Sequence, residues 1–373
     1  MPDSIPGYIG QSVPRREDKR LLRGEGLFVA DIQIPNMLHV AIARSQLPHA
    51  RIKDIDLSKA LSAEGVELAI SGEDILEHLP PISGMQLTTP PGYQERVDTD
   101  IQIPDQPLIP HEKVRFVGEP YALVVAKNRY LAEDAIELIS TNFDPLPPVA
   151  TTDDALDRNA PLLHENLGRN VAAILHTKKG KGAEALKTAP HRLKRRFYHH
   201  RYAAMPMECR GVVADYDART DTLTIWSSTQ VVHWVRREVA NSLGMPEENV
   251  RCIAPDVGGG FGVKGHVYPE DILVAYLARR LRRPVKWIED RHEHFLNSTH
   301  SRDNIYDVEI GFDNNGRIET VVSDFVVDSG AYSPIGAGIA GNSIAHMLGP
   351  YDIPNYEASS KIVLTNRTPN APY

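Results

Sequence analysis

Short apolar runs alternate with turn-rich stretches along the 373 residues, and the period of the apolar positions sets the predicted elements. Residues 37–44 are apolar and strand-like. His49-Ala50-Arg51-Ile52 leads into a second strand, 56–61 reads as a short helix, and 65–70 and 121–126 read as further strands. Across 129–139, Leu131, Ala132, Ala135, Ile136 and Leu138 form one helical stripe. The stretch 80–110, rich in Pro, Gly and Thr, reads as a long loop. These elements predict a compact α/β module over 21–149 with a core of its own, preceded by a polar surface arm over 1–20. Residues 150–194 read as a linker or extended crossing. A second module spans 195–373. It holds strands at 211–216 and 222–228, a helix at 231–243, a strand at 250–254, a helix at 269–281 opened by Pro269, and a strand at 285–288. Strands 305–312 and 317–327 flank the hairpin signal Asp313-Asn314-Asn315-Gly316.

Composition narrows the class. Hydrophobic content of 42% with 24% charged residues is that of an ordinary soluble globular protein. A net charge of −8 argues against nucleic-acid binding, which needs a basic face. No apolar run reaches the length of a membrane span, and residues 1–11 lack a basic segment followed by an apolar one, so a cytoplasmic protein is expected. Two cysteines, Cys209 and Cys252, are too few for a disulfide scaffold or for the four thiolates of an iron–sulfur cluster. Any such cluster is expected on a partner.

One stretch concentrates the chemistry. The apolar strand at 250–254 runs into Pro255-Asp256-Val257-Gly258-Gly259-Gly260-Phe261-Gly262-Val263-Lys264. Four glycines in five residues allow close approach to the backbone and leave N–H groups free for an oxyanion or a metal-oxo group. They equally suit a plain strand-to-helix turn. The dinucleotide fingerprint fails because Val263 stands where its third glycine belongs, and Walker A fails because Gly265 follows Lys264. Gln230 ends the strand before the preceding helix, and its amide offers two donors and an acceptor. Glu208 reads as structural support and Cys209 as a small core residue. His292-Glu293-His294 and His199-His200 read as solvated histidines, since no third metal ligand is evident. Lys178-Lys179-Gly180-Lys181 reads as a solvated loop. No G-x-S-x-G elbow is present.

The order of motifs goes further than the glycines. Val257 to Lys264 is followed by Tyr268-Pro269-Glu270-Asp271, Arg283-Pro284-Val285-Lys286-Trp287 and Glu289-Asp290-Arg291. Asp31-Ile32, Ser45 with His49-Ala50-Arg51-Ile52, and Val117-Gly118-Glu119-Pro120 precede it. This series resembles the molybdopterin-binding large subunit of the molybdenum hydroxylases: xanthine oxidase, aldehyde oxidase and aerobic carbon monoxide dehydrogenase. The resemblance covers nearly all of the chain from about Arg15. It implies an α+β fold, with an N-terminal α/β hammerhead domain followed by the first part of the molybdenum-cofactor-binding domain. It also implies oxidative hydroxylation of an aldehyde, an N-heterocycle or a similar small substrate, with water as the oxygen source. The implied cofactor is molybdenum-molybdopterin in the cytosine dinucleotide form. Fe–S and FAD are implied on partner subunits of one complex.

By the same resemblance, Gln230 in Ser228-Thr229-Gln230 faces an oxo ligand, and Gly259, Gly260, Phe261 and Gly262 face the metal from the other side. Met207-Glu208 matches a Met-Glu pair of the family, with Cys209 where proline is common. Two departures argue against purines: Gly265 stands where purine oxidisers carry Glu, and Asn342, before His346-Met347, stands where they carry Arg. The Cys loop of carbon monoxide dehydrogenases falls beyond Thr365-Asn366 and Tyr373. So does the family's catalytic Glu, which places no catalytic residue on this chain and makes a complementary C-terminal half an expected partner. The rival reading is a non-catalytic half-chain that serves as an assembly module.

Overall fold

The computed structural model describes residues 7–84, 98–335 and 337–373. Residues 1–6 of the expected arm, and 85–97 of the expected long loop, lie outside the described residues.

The fold turns on a mixed sheet of seven strands, in the order Val250–Ile253, Thr222–Ser227, Gly211–Asp217, Val285–Ile288, Leu38–Arg44, Pro120–Ala126, Val66–Ser71. The first four come from the predicted second module and the last three from the first. They join where Leu38–Arg44 lies parallel to Val285–Ile288, with Leu38 opposite Val285. One face of this sheet is covered by the helix Pro269–Leu281, whose Ile272, Leu273, Ala275 and Leu277 are buried. These residues share one hydrophobic cluster with Val40, Ile42 and Leu123 of the first region and with Ile225, Val239 and Trp287 of the second. The expectation of a local core for 21–149 is therefore corrected. An isolated 21–149 segment would expose both the edge of Leu38–Arg44 and the apolar face that the helix covers.

A second sheet of six strands runs Asp98–Ile101, Val171–Lys179, Asn355–Val363, Ile318–Asp328, Asn304–Phe312, His191–His199. The predicted hairpin is its fourth and fifth strands, with Phe312 opposite Ile318. Residues 150–194, expected as a linker, instead supply Val171–Lys179, a strand paired on both sides. Its apolar residues, Val171 to Leu175, occupy one end only and give way to His176-Thr177-Lys178-Lys179, so the pattern shows no strand face along the whole element. His191–His199 is exposed along its whole length and holds an edge, so it carries no apolar alternation to read. The end of the expected 80–110 loop forms the strand Asp98–Ile101, paired with Val171–Lys179. A three-stranded sheet, Lys113–Val114, Ala50–Asp56 and Ser140–Pro145, completes the first region.

The N-terminal arm is fastened. Arg20 binds Asp256 through both guanidinium nitrogens at 2.6 Å, and Asp256 also accepts the Leu27 N–H at 2.8 Å. The arm thus braces the base of the glycine loop.

Glu119 ties the two regions at another point. Its fully buried carboxylate accepts the Arg115 N–H and, at 2.9 Å, the Tyr332 hydroxyl. Burial outweighs the neighbouring Arg115 and pushes its pKa up to about 7 from 4.5. The folded state therefore holds this proton more tightly than the unfolded chain does, and stability falls as pH rises from about 4.5 to about 7. Between pH 5 and 8 the wild type should lose about 2 kcal/mol relative to Glu119→Gln. Urea unfolding of both proteins at the two pH values measures this; equal losses would place the burial penalty elsewhere.

Candidate functional site

Strands Thr222–Ser227 and Val250–Ile253 are parallel neighbours, with Trp226 opposite Ile253. The helix Val232–Leu243 connects them, burying Val235, Val239 and Ala240 and ending at Gly244 in the left-handed conformation. Parallel strands joined in this way end side by side, and the crevice at their carboxyl ends is where open sheets of this kind bind ligands. Ser228-Thr229-Gln230 leaves the first strand, and the glycine loop leaves the second. The topology closes a gap of 32 residues: the Gln230 Oε1 accepts the Gly262 N–H at 3.0 Å. The Gln230 N–H donates to the Lys264 carbonyl at 2.8 Å.

The glycines answer to contacts. A Cβ on Gly260 would lie 2.5 Å from the Gln230 Oε1, and one on Gly262 would lie 2.2 Å from the Pro372 carbonyl, at a φ of +90°. Phe261 itself has a φ of +52°, which an aromatic residue adopts only under constraint. The loop and Gln230 face outward: Gln230 is exposed, and Phe261 keeps 56% of its surface accessible. The five sequence-predicted residues, Gln230, Gly259, Gly260, Phe261 and Gly262, thus gather on one open face. The N–H groups of Gly259, Gly260 and Phe261 have no acceptor among the described residues, and neither does the Gln230 amide NH2 have a partner there. This set of unpaired donors fits the oxygens of a metal-oxo or phosphate group.

Beneath the loop, Glu208 performs the expected support. Its Oε2 accepts the Gly258 N–H at 2.8 Å, the Ser228 hydroxyl at 2.7 Å and the Lys264 ammonium at 3.0 Å. Lys264 is buried, and burial lowers its pKa against the pull of Glu208.

A second buried network lies behind it. Arg210 donates to Glu270 at 3.0 Å and to Glu289 at 2.6 Å, with its guanidinium 3.7 Å from the centre of the Tyr268 ring. Arg44 adds bonds to Glu270 at 3.0 Å and Glu293 at 2.9 Å. Glu289 is held well below the usual carboxylate range, against its own burial, by Arg210 and by the His294 hydrogen bond. Asp271, which caps the helix by accepting the Tyr268 N–H at 3.1 Å, is pushed up to about 6 by burial. His266 is fully buried beside Tyr268, and burial lowers it to about 3, so it stays neutral.

His292-Glu293-His294 needs correcting. It lies on the helix Arg291–Asn297, where residues two apart do not share a face. His292 is exposed, as expected, but His294 is buried, with Nδ1 2.9 Å from Glu289 and Nε2 2.8 Å from the Ala204 carbonyl. Cys209, Glu289 and His294 come within 4.8 Å of one another. Both His294 nitrogens and both Glu289 oxygens are already engaged, so this cluster is an ion-pair network rather than a metal centre. Burial raises both thiols, Cys252 to about 12, which makes neither a nucleophile. His199, His200 and the run from Lys178 to Lys181 are exposed, as expected, although Lys178 and Lys179 end a strand.

Comparison with known proteins decides the family. A family profile described as the molybdopterin cofactor-binding domain matches residues 163–373, and one described as the aldehyde oxidase and xanthine dehydrogenase a/b hammerhead domain matches 23–147. The chain belongs to the molybdenum hydroxylase family. It is 38% identical over 375 aligned residues to the 6-hydroxypseudooxynicotine dehydrogenase complex subunit gamma of Paenarthrobacter nicotinovorans, covering 98% of this chain and 45% of that protein. It is 30% identical to the nicotinate dehydrogenase large molybdopterin subunit of Eubacterium barkeri, covering 96% of this chain and 79% of that one. The crystal structure of quinoline 2-oxidoreductase from Pseudomonas putida 86 superposes with a TM-score of 0.88 at 38% identity, over 98% of this chain and 46% of that one. The molybdenum hydroxylase chain thus spans about half the length of several curated relatives that it matches. The α+β fold, with a hammerhead region and a molybdopterin-binding region, is the one expected.

Two glycine substitutions separate contact from strain. Gly260→Ala should push aside the exposed Gln230 side chain, at a stability cost within about 1 kcal/mol, and speed amide exchange at Gly262 about tenfold. Gly262→Ala meets rigid backbone at a disallowed φ and should cost about 1–3 kcal/mol. Denaturant unfolding and residue-resolved hydrogen exchange read both; equal stability costs would mean that the two contacts do not differ in kind.

Proposed function

We propose that this chain is the portion of a molybdenum hydroxylase that presents Gln230 and the loop Gly259–Gly262 to the cofactor. The observation that carries the reading is the open face at the ends of two parallel strands, where an amide NH2 and three backbone N–H groups have no partners among the described residues. Bound molybdenum would supply the oxidation of a substrate carbon with water as the oxygen donor. The Gln230 NH2 would hold one oxygen of the metal group, and the loop N–H groups would hold others. The Phe261 ring would shield the site from water on that side. We assign the cofactor as the molybdopterin cytosine dinucleotide, with Fe–S and FAD on partner subunits, in a cytoplasmic complex. The naming of one relative as a subunit of a dehydrogenase complex supports the partners. Among the described residues no helix is long and apolar enough to cross a membrane.

An N-heterocycle is the favoured substrate class. The relatives named for nicotine, nicotinate and quinoline support it. Purines are disfavoured: Gly265 has no side chain to grip one, and a Cβ there would lie 2.9 Å from the Gly262 carbonyl. Asn342 is uncharged and exposed on the helix Gly338–His346.

The exposure of Phe261, and of Met207 at 93%, supports a site completed by residues outside this sequence, on the same polypeptide or on another chain. The same exposure favours the second reading, an assembly module without activity of its own. Metal analysis and turnover separate the two. The native complex should hold near-equimolar molybdenum and hydroxylate an N-heterocycle with oxygen taken from labelled water, with xanthine turned over at least a hundredfold more slowly. Residues 1–373 alone should hold less than a tenth of an equivalent of molybdenum and show no turnover. A native complex free of molybdenum would end the catalytic reading, and a loaded, active 1–373 would end the requirement for completion.

A further inference from the structure

Walker A chemistry was excluded for Lys264, which leaves a buried lysine beside the site without a role. Its surroundings give it one. The side chain is 1% exposed and ends among three oxygens: the Glu208 carbonyl at 3.0 Å, the Glu208 Oε2 at 3.0 Å and the Ser228 hydroxyl at 2.8 Å. The Ser228 hydroxyl in turn donates a hydrogen bond to the Glu208 Oε2 at 2.7 Å. The same carboxylate oxygen accepts the Gly258 N–H at 2.8 Å, at the entry to the glycine loop. The other end of the residue works in parallel: the Lys264 carbonyl accepts the Gln230 N–H at 2.8 Å and the Thr229 hydroxyl at 3.3 Å.

Lys264 thus touches every segment that builds the open face. Its ammonium holds the Met207-Glu208 segment and Ser228, and through Glu208 it holds the start of the loop. Its carbonyl holds Gln230, whose Oε1 in turn holds the Gly262 N–H. A lysine suits this place because three rotatable donors on one compact charge match three acceptors set around a point, which a planar guanidinium does not. Removing the charge would leave the Glu208 carboxylate, with 15% of its side chain exposed, without a cationic partner, which favours its turning toward water and releasing Gly258.

We propose that Lys264 is a positioning residue: through Glu208 at one end and its own carbonyl at the other, it fixes the glycine loop and the Gln230 amide relative to each other. The proposal rests on the reading of this face as the cofactor site, but its first test does not.

That test is residue-resolved amide exchange on residues 1–373, comparing the wild type with Lys264→Met, Glu208→Gln, the double variant and Ser228→Ala. Lys264→Met should speed exchange at Gly258 and Gly262 at least tenfold while strand Gly211–Asp217 keeps its rates. The double variant should be no faster than the faster single variant, because both act through one pair. Ser228→Ala, which removes only the relay, should give a rise of about threefold. Unchanged loop exchange in Lys264→Met, multiplied effects in the double variant, or an equal acceleration of the strand would overturn the proposal. If Lys264→Met does not fold, unchanged loop exchange in Ser228→Ala would do so. In the native complex, Lys264→Met should lower kcat at least tenfold with KM moved less than threefold and molybdenum content unchanged. A native wild-type complex without molybdenum would defeat the proposed function and leave the exchange result standing.

Discussion

The Arg210 guanidinium holds the joint on which the large sheet, the helix across it and the candidate site depend. It sits directly before strand Gly211–Asp217. Its partner Glu289 directly follows strand Val285–Ile288, and its partner Glu270 opens the helix Pro269–Leu281. One buried cation therefore fixes two adjacent strands and the helix across them. Glu270 also accepts Arg44, which ends the strand that the first region contributes to the sheet. Burying such charges costs several kcal/mol per ion, recovered only where geometry and further hydrogen bonds are good. Ser298, Asn297 and the Tyr268 ring supply those further contacts. Taking away a single member would strand its partner in a low-dielectric interior, so the group stands or falls together.

The network reaches the candidate site by a short path. Asp290, next to Glu289, caps the helix Arg291–Asn297 by accepting the Glu293 N–H at 2.7 Å. Arg291 then donates to the Pro206 carbonyl at 2.6 Å and to the Met207 carbonyl at 3.2 Å. The next residue is Glu208, which grips the glycine loop. The motifs Tyr268-Pro269-Glu270-Asp271 and Glu289-Asp290-Arg291 thereby acquire a physical meaning: they build the scaffold that carries the candidate loop.

Much of this was legible in the sequence, and the pattern of success is physical. Elements with one buried face, such as Leu38–Arg44, Thr222–Ser227, Val232–Leu243 and Pro269–Leu281, declared themselves through apolar period and helix-start signals. Val171–Lys179 did not, because its apolar residues cluster at one end and then give way to lysines. His191–His199 did not, because an exposed edge strand needs no apolar face. Ser140–Pro145, a largely exposed strand, and Gly338–His346, a helix with three glycine-or-serine positions and little polar contrast, were missed for related reasons. The meeting of Gln230 with the loop was anticipated from the resemblance. Local sequence alone does not contain it, since it depends on two strands being parallel neighbours. The unity of the two regions was hidden altogether: a strand pattern shows which face is buried but not which strand will lie beside it.

The openness of the site follows from the same topology. Two parallel strands that end together bring the loop after one and the Gln230 amide after the other into contact. That arrangement makes one wall. Making it rigid requires that the loop not relax into the space in front of it, and glycines resist relaxation poorly because they have so many alternative conformations. The chain answers this weakness from behind the wall rather than from within it. Glu208 holds the loop's first glycine, and Tyr268 donates its hydroxyl to the Val263 carbonyl at 2.6 Å on the far side. Asp256, clamped by Arg20, holds the entry, while Pro372 closes against Gly262. None of these restraints uses the N–H groups of Gly259, Gly260 and Phe261. The loop is thus pinned at both ends while the N–H groups between find no acceptor among the described residues, and that combination of a fixed backbone with free donors is the physical condition on which the proposed cofactor reading rests.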